Sequence, residues 1–159
     1  MDIQALTSQV RVLQDMEAIK KLKYQYSMAC DLGINEGKTD LLQEVFVQDI
    51  LWDIGDFGKF TNMQEVNEGL KIIPEQMKFT YHFFTNPILE VKGDNASGRW
   101  NLLAMYTMAG GQDMLLAGIE TDRYKKIDDR WWISEVVLTV AFFSPFKEGW
   151  SQMVMGQGK

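Results

Sequence analysis

Residues 81–143 read YHFFTNPILEVKGDNASGRWNLLAMYTMAGGQDMLLAGIETDRYKKIDDRWWISEVVLTVAFF. Four β-rich runs stand out, at 81–91, 96–108, 114–127 and 130–143. The turns Lys92-Gly93-Asp94-Asn95, Ala109-Gly110-Gly111-Gln112 and Asp128-Asp129 separate them. Glycine- and aspartate-rich breaks between such runs are hairpin signals, so the stretch predicts an antiparallel meander. Upstream, 50–57 reads as one further short strand.

The chain before the meander reads as helices. Val12, Met16, Ile19, Leu22, Tyr26 and Ala29 recur at three- and four-residue spacing, the pattern of one buried helix face. Asp15 is the expected N-cap, with Glu17 in the first turn, and Gly33 and Gly37 are expected to stop the helix. Thr39 caps an expected second helix over 40–46. A third begins at Asn62, where Asn-Met-Gln-Glu has capping-box spacing, and Pro74 should kink or end it. Helices followed by a strand series give an α+β fold, with three helices packed into one face of a strongly curved antiparallel sheet. The chain, 1–159, reads as a single domain, since 159 residues suit one core.

Composition narrows the function classes. A net charge of −6 and scattered basic residues argue against nucleic acid as a partner. The densest basic group, Lys20, Lys21 and Lys23, reads as a solvated helix face rather than a membrane patch. Cys30 is the only cysteine, which excludes an internal disulfide and any multi-cysteine zinc site. The opening MDIQALTSQV has no basic region followed by an apolar run, and no stretch is long enough to span a bilayer, so the chain reads as cytoplasmic. Ten methionines and an aromatic content of 12% suit either a core rich in them or a pocket for a flat apolar ligand.

His82, the only histidine, sits early in a long strand. Alternation puts His82 and Phe84 on one face and Tyr81 and Phe83 on the other. Imidazole titrates near neutrality, so His82 suits general-base work; a hydrogen-bonded core histidine is the other reading. Asp31 stands at the expected end of the first helix, where the macrodipole opposes an acid. A histidine N–H would compensate it, and an ordinary exposed aspartate is the alternative. Tyr26, about 140° around the helix from Asp31, can border the same cavity. Trp52 and Trp100 either line the interior or simply pack there. Cys30 reads as an inert buried thiol. No phosphate loop, dinucleotide fingerprint, nucleophile elbow or clustered metal ligands are present.

Several motifs resemble the nuclear transport factor 2-like superfamily, in its polyketide-cyclase-like branch. Residues 15–31, DMEAIKKLKYQYSMACD, resemble the opening of bile-acid 7α-dehydratases, including the spacing from Tyr26 to Asp31. Residues 81–86, YHFFTN, resemble the histidine strand of hexachlorocyclohexane dehydrochlorinases. Gly98-Arg99-Trp100, Asp122-Arg123-Tyr124 and the Trp131-Trp132 strand are also similar to this branch. The resemblance implies a cone of curved sheet around an apolar pocket. It further implies His82 as a base that takes a carbon-bound proton, Asp31 as the group that orients it, and Tyr26 as a hydrogen bond to the substrate or the departing oxygen. The chain departs from the branch in three places. Scytalone dehydratases use a second histidine, which is absent. The last-strand arginine of bile-acid dehydratases is replaced by the apolar run 136–141. A basic position near the dehydrochlorinase dyad is Tyr26 here, so no cation is expected to meet a leaving halide. The reading is a cofactor-independent lyase of dehydratase type acting on a hydrophobic cyclic or polyketide-like small molecule. Trp52, Phe84, Trp100 and Leu102 are expected to shape the pocket, without metal or cofactor. The alternatives are an isomerase or cyclase using the same base, or a non-catalytic binding or accessory protein. The trimeric assembly of the branch, with exposed apolar residues on the outer sheet face, implies a homotrimer, with a homodimer as runner-up.

Overall fold

The computed structural model describes residues 2–148. In chain order its elements are α1 (Ile3–Glu36), β1 (Phe46–Asp53), β2 (Lys59–Phe60), α2 (Met63–Gln76), β3 (Met77–Lys92), β4 (Asn95–Met108), β5 (Asp113–Ile127) and β6 (Arg130–Pro145). Short 3-10 turns occupy Leu41–Glu44, Gly55–Phe57 and Phe146–Glu148. The strands form one sheet in the order β2-β1-β6-β5-β4-β3, so the four late strands are the antiparallel meander that the turns predict. The sheet is mixed rather than wholly antiparallel: β1 runs parallel to β6, with Trp52 opposite Val136.

Irregularities bend the sheet. The register of β3 against β4 shifts between Thr85 and Ile88, where Asn86 has a φ of 52° ahead of Pro87. That of β5 against β6 shifts at Ala117/Gly118. A Cβ on Gly118 would lie 2.7 Å from the Thr139 carbonyl oxygen, so only glycine allows this close approach. Such bulges bend a strand and curve the sheet toward its inner face.

Among the described residues two α-helices, not three, lie against that face. The segment expected to be a second helix makes only the 3-10 turn, because Val45, Phe46 and Val47 are consecutively buried and feed β1. β1 accordingly begins at Phe46 rather than 50, and Phe57 falls in the turn after it. Asp15 is no N-cap: α1 begins twelve residues earlier, with Asp2 as its cap. This early part has no buried face: Val12, expected on one, is exposed, and periodicity gave no other sign of it. Lys126 and Trp131 hold the Asp15 carboxylate instead, at 2.9 and 2.8 Å. α1 passes through Gly33 and ends before Gly37, whose φ of 70° is the left-handed C-cap conformation. α2 starts as expected, with the Glu65 N–H donating to Asn62 Oδ1, while Glu65 reaches back to Thr61 rather than to Asn62. Pro74 lies in its last turn.

The core splits around the inner face. Ile19, Leu22, Tyr26 and Ala29 of α1 pack with Phe46, Trp52, Tyr124, Ile133 and Val136. Leu102, Ala104, Tyr106, Leu116, Leu138 and Phe143 form a second group toward the other end.

Candidate active site

Four-residue spacing places Ser27, Asp31 and Asn35 on one stripe of α1, and each is bonded to β3. The Ser27 hydroxyl donates to the His82 carbonyl at 3.1 Å. The Asn35 amide donates to the Thr80 carbonyl and accepts from the Thr80 N–H. Asp31 Oδ2 accepts from the His82 N–H, and Oδ1 accepts from the Thr80 hydroxyl. The same Oδ1 lies 2.6 Å from His82 Nδ1. An ionised carboxylate here makes Nδ1 the protonated nitrogen and leaves Nε2 its lone pair. Nε2 then accepts from the Tyr106 hydroxyl, 3.1 Å away. Asp31 stands five residues inside α1 rather than at its end, and these donors, more than any relief from the macrodipole, account for an acid there.

His82 borders a cavity of about 80 Å³ lined mainly by apolar side chains, among them Ile34, Trp52, Phe57, Ile73, Met77, Leu102 and Leu138. Tyr26, Tyr106 and Glu120 are its other conspicuous polar members. An apolar cavity near 150 Å³ takes a benzene ring, so a ring compound would need a neighbouring side chain to move. Phe57 on its 3-10 turn stacks on Tyr106, with ring centroids 6.0 Å apart, and closes one side.

The expected residues divide. Tyr26, Trp52, Leu102 and His82 border the cavity, with Asp31 behind His82. Phe84 and Trp100 do not line it. Phe84 packs under α1, its ring parallel to the imidazole and its centroid 4.2 Å from Lys23 Nζ. Trp100 is buried beneath the same lysine and donates its indole N–H to the Tyr124 hydroxyl. Alternation puts Phe84 on the face of His82, and Trp100 takes the packing role given as its alternative; α1 covers the part of the inner face where both lie.

The sequence reading missed a buried charge cluster. Lys23, far from belonging to a solvated face, is 1% exposed and paired with Glu120 at 2.6 Å and Asp122 at 2.8 Å. Burial alone would depress its pKa; the Asp122 and Glu120 carboxylates reverse this and hold it above the usual lysine range. Glu120 is pushed up, first by burial and then by the charge of Asp122, against the opposing pull of Lys23. The Tyr26 hydroxyl donates to Glu120 Oε1 over 3.4 Å and accepts from Trp52 Nε1 at 3.0 Å. Burial raises Tyr26 well above the phenol range, and likewise Tyr106, so both hydroxyls keep their protons. Burial also raises the Cys30 thiol, which leaves it inert. Lys23 is thus a cation one ring away from His82, across Phe84, but it does not line the cavity, and Glu120 and Asp122 already engage it. The legible signal was on β5: Met114, Leu116, Gly118, Glu120, Asp122 and Tyr124 share one face, so two acids sit on an otherwise apolar stripe. Among the described residues, no group of three or more His, Cys, Asp or Glu side chains is arranged to hold a metal ion.

The sequence pattern of the SnoaL-like domain matches residues 11–137. The chain belongs to the SnoaL-like domain family. That family lies within the nuclear transport factor 2-like superfamily, as the residues around Asp31 and His82 suggest. Solved structures share its fold. A hexachlorocyclohexane dehydrochlorinase, LinA type 2, has 22% identity and a TM-score of 0.76 over 86% of this chain and 92% of its own. LinA type 3 from Novosphingobium barchaimii LL02 has 21% identity and a TM-score of 0.75, covering 86% and 93%. A candidate scytalone dehydratase from Novosphingobium aromaticivorans DSM 12444 has 21% identity and a TM-score of 0.75, covering 92% and 97%. At these identities the likeness establishes the fold alone. No helix among the described residues of this SnoaL-like chain is long and apolar enough to cross a membrane.

Proposed function

We propose that the chain is a cofactor-independent lyase that removes water from a hydrophobic cyclic or polyketide-like small molecule. His82 Nε2 takes a proton from carbon next to an electron-withdrawing group. Asp31 fixes the ring tautomer and offsets the positive charge that the ring acquires. Tyr26 hydrogen-bonds the oxygen. The observation that carries this reading is the 2.6 Å contact of His82 Nδ1 with Asp31, on a ring whose other edge borders an apolar cavity. A histidine held only for packing needs no carboxylate on its hidden nitrogen. The family supports the reading, since dehydrochlorinases and a dehydratase candidate share the scaffold.

The test uses native mass spectrometry of the purified chain and of His82→Ala. A lyase should release a small molecule from H82A that wild type converts to a species lighter by one water. Release of the same unchanged molecule from both would favour a binding protein instead. For assembly the proposal is a homotrimer, with a homodimer next. Its support is the row of exposed Phe79, Tyr81, Phe83, Leu103 and Met105 on the outer faces of β3 and β4.

A further inference from the structure

We propose that Glu120 is the acid of this pocket, a neutral carboxyl group that gives its proton to the departing oxygen, so that the site takes a hydroxyl rather than a halide leaving group. The proposal rests on the elimination reading above and adds a residue and a substrate class to it.

Glu120 borders the cavity together with His82 and Tyr26. It belongs to a cluster of one ammonium and two carboxylates whose side chains are at most 3% exposed. Fully ionised, that cluster buries one uncompensated negative charge, and a single proton removes the cost. Geometry selects where the proton sits. Asp122 Oδ2 receives two short contacts, from Lys23 at 2.8 Å and from the Tyr124 hydroxyl at 2.5 Å. Two donors on one oxygen favour its anion. Glu120 Oε2 has Lys23, but Oε1 has only the 3.4 Å approach of Tyr26. Glu120 Oε1 is therefore the weakly held position, and it belongs to the carboxyl that borders the cavity. Asp122 Oδ1, buried with no hydrogen-bond partner, is the rival seat. The titratable groups that interact with Glu120 are Lys23, Tyr26 and Cys30 from α1, His82 from β3, Tyr106 from β4, and Asp122 and Tyr124 on its own strand. Burial and the Asp122 charge both favour its neutral form, against Lys23.

The step balances without a co-reactant. His82 Nε2 accepts the carbon-bound proton, and the C–H electron pair becomes the new carbon–carbon double bond. The C–O pair departs with the oxygen, which takes the Glu120 proton and leaves as water. The imidazolium then loses a proton and the Glu120 carboxylate regains one, restoring both groups. A halide needs no such proton. It would gain from a free cation, and Lys23 is not free.

Infrared spectroscopy of the protein in H₂O and D₂O near neutral pH reads the proton without a substrate. A deuterium-sensitive C=O band of a protonated carboxyl is expected in wild type, lost in Glu120→Gln, and shifted by ¹³C-carboxyl labelling of glutamate but not of aspartate. Its absence from wild type overturns the proposal, even should E120Q fold poorly. A band that survives E120Q, or shifts only with labelled aspartate, overturns it too. Cyclic β-hydroxy ketones in D₂O probe the chemistry. E120Q should still incorporate deuterium beside the carbonyl while water loss falls at least about 100-fold, the usual worth of a positioned acid. H82A should lose both reactions. An E120Q that loses water at the wild-type rate removes Glu120 and leaves His82 standing. An H82A that retains both reactions removes the base reading, while the infrared result still decides the proton on Glu120.

Discussion

A single carboxylate, Asp31, joins three groups of β3: the Thr80 hydroxyl, the His82 N–H and the His82 ring. His82→Ala should abolish turnover while the melting curve stays close to wild type. A loss below about tenfold, when a positioned base contributes roughly 10²–10⁴, would put the base elsewhere. Asp31→Asn keeps the shape and removes the charge, so kcat should fall by a large part of that factor. Lys23→Met strands the Asp122 carboxylate in the interior, and urea unfolding should show a loss of about 3–5 kcal/mol. No change in stability would mean that Asp122 sheds its charge at no cost. Asp31 and His82 were legible because both carry chemistry and both match motifs of a known branch. Lys23 and Glu120 were not. A lysine beside Lys20 and Lys21 looks solvated until its two acidic partners, nearly a hundred residues along the chain, are folded onto it.

Among the elements, α1 sets the geometry, because its polar stripe positions Asp31 and its apolar stripe buries Tyr26. Asp15 ties the helix to the far end of the sheet through Lys126 and Trp131. Burial tends to raise its pKa, but the Trp131 and Lys126 contacts outweigh that and hold it below the usual carboxylate range. A depressed folded-state pKa gives stability that is full above the unfolded-state value and lost as pH falls through the folded one. Asp15→Asn should therefore lower the urea midpoint near neutrality, and the gap to wild type should close as the solution is acidified below the ordinary carboxylate range. A gap that stays constant with pH would mean that Asp15 acts by shape alone. The meander was legible because its turns carry glycine or aspartate at each reversal. The first three turns of α1 were not, since Ile3, Leu6 and Leu13 are exposed and leave no buried periodicity to read. The segment 40–46 failed for the opposite reason: its buried residues cluster in succession, which favours a strand, and Phe46 pairs with Ile133, 87 residues later.

For the whole molecule, the exposed aromatic row on β3 and β4 predicts self-association. Light scattering at micromolar concentration should give the mass of a trimer, and Phe83→Glu, at the centre of that row, should lower it. Wild type that is monomeric throughout would remove the assembly proposal and leave the pocket untouched. The pocket itself depends on α1, α2 and the curved sheet meeting around one imidazole, and the chain has only that one histidine. Nitrogen NMR of the ¹⁵N-labelled protein therefore reads His82 without assignment ambiguity. The Nδ1–H tautomer is predicted near neutrality, with its proton strongly downfield from the bond to Asp31 and that signal lost in D31N. A ring protonated at Nε2 instead, or a spectrum unchanged in D31N, would contradict the dyad.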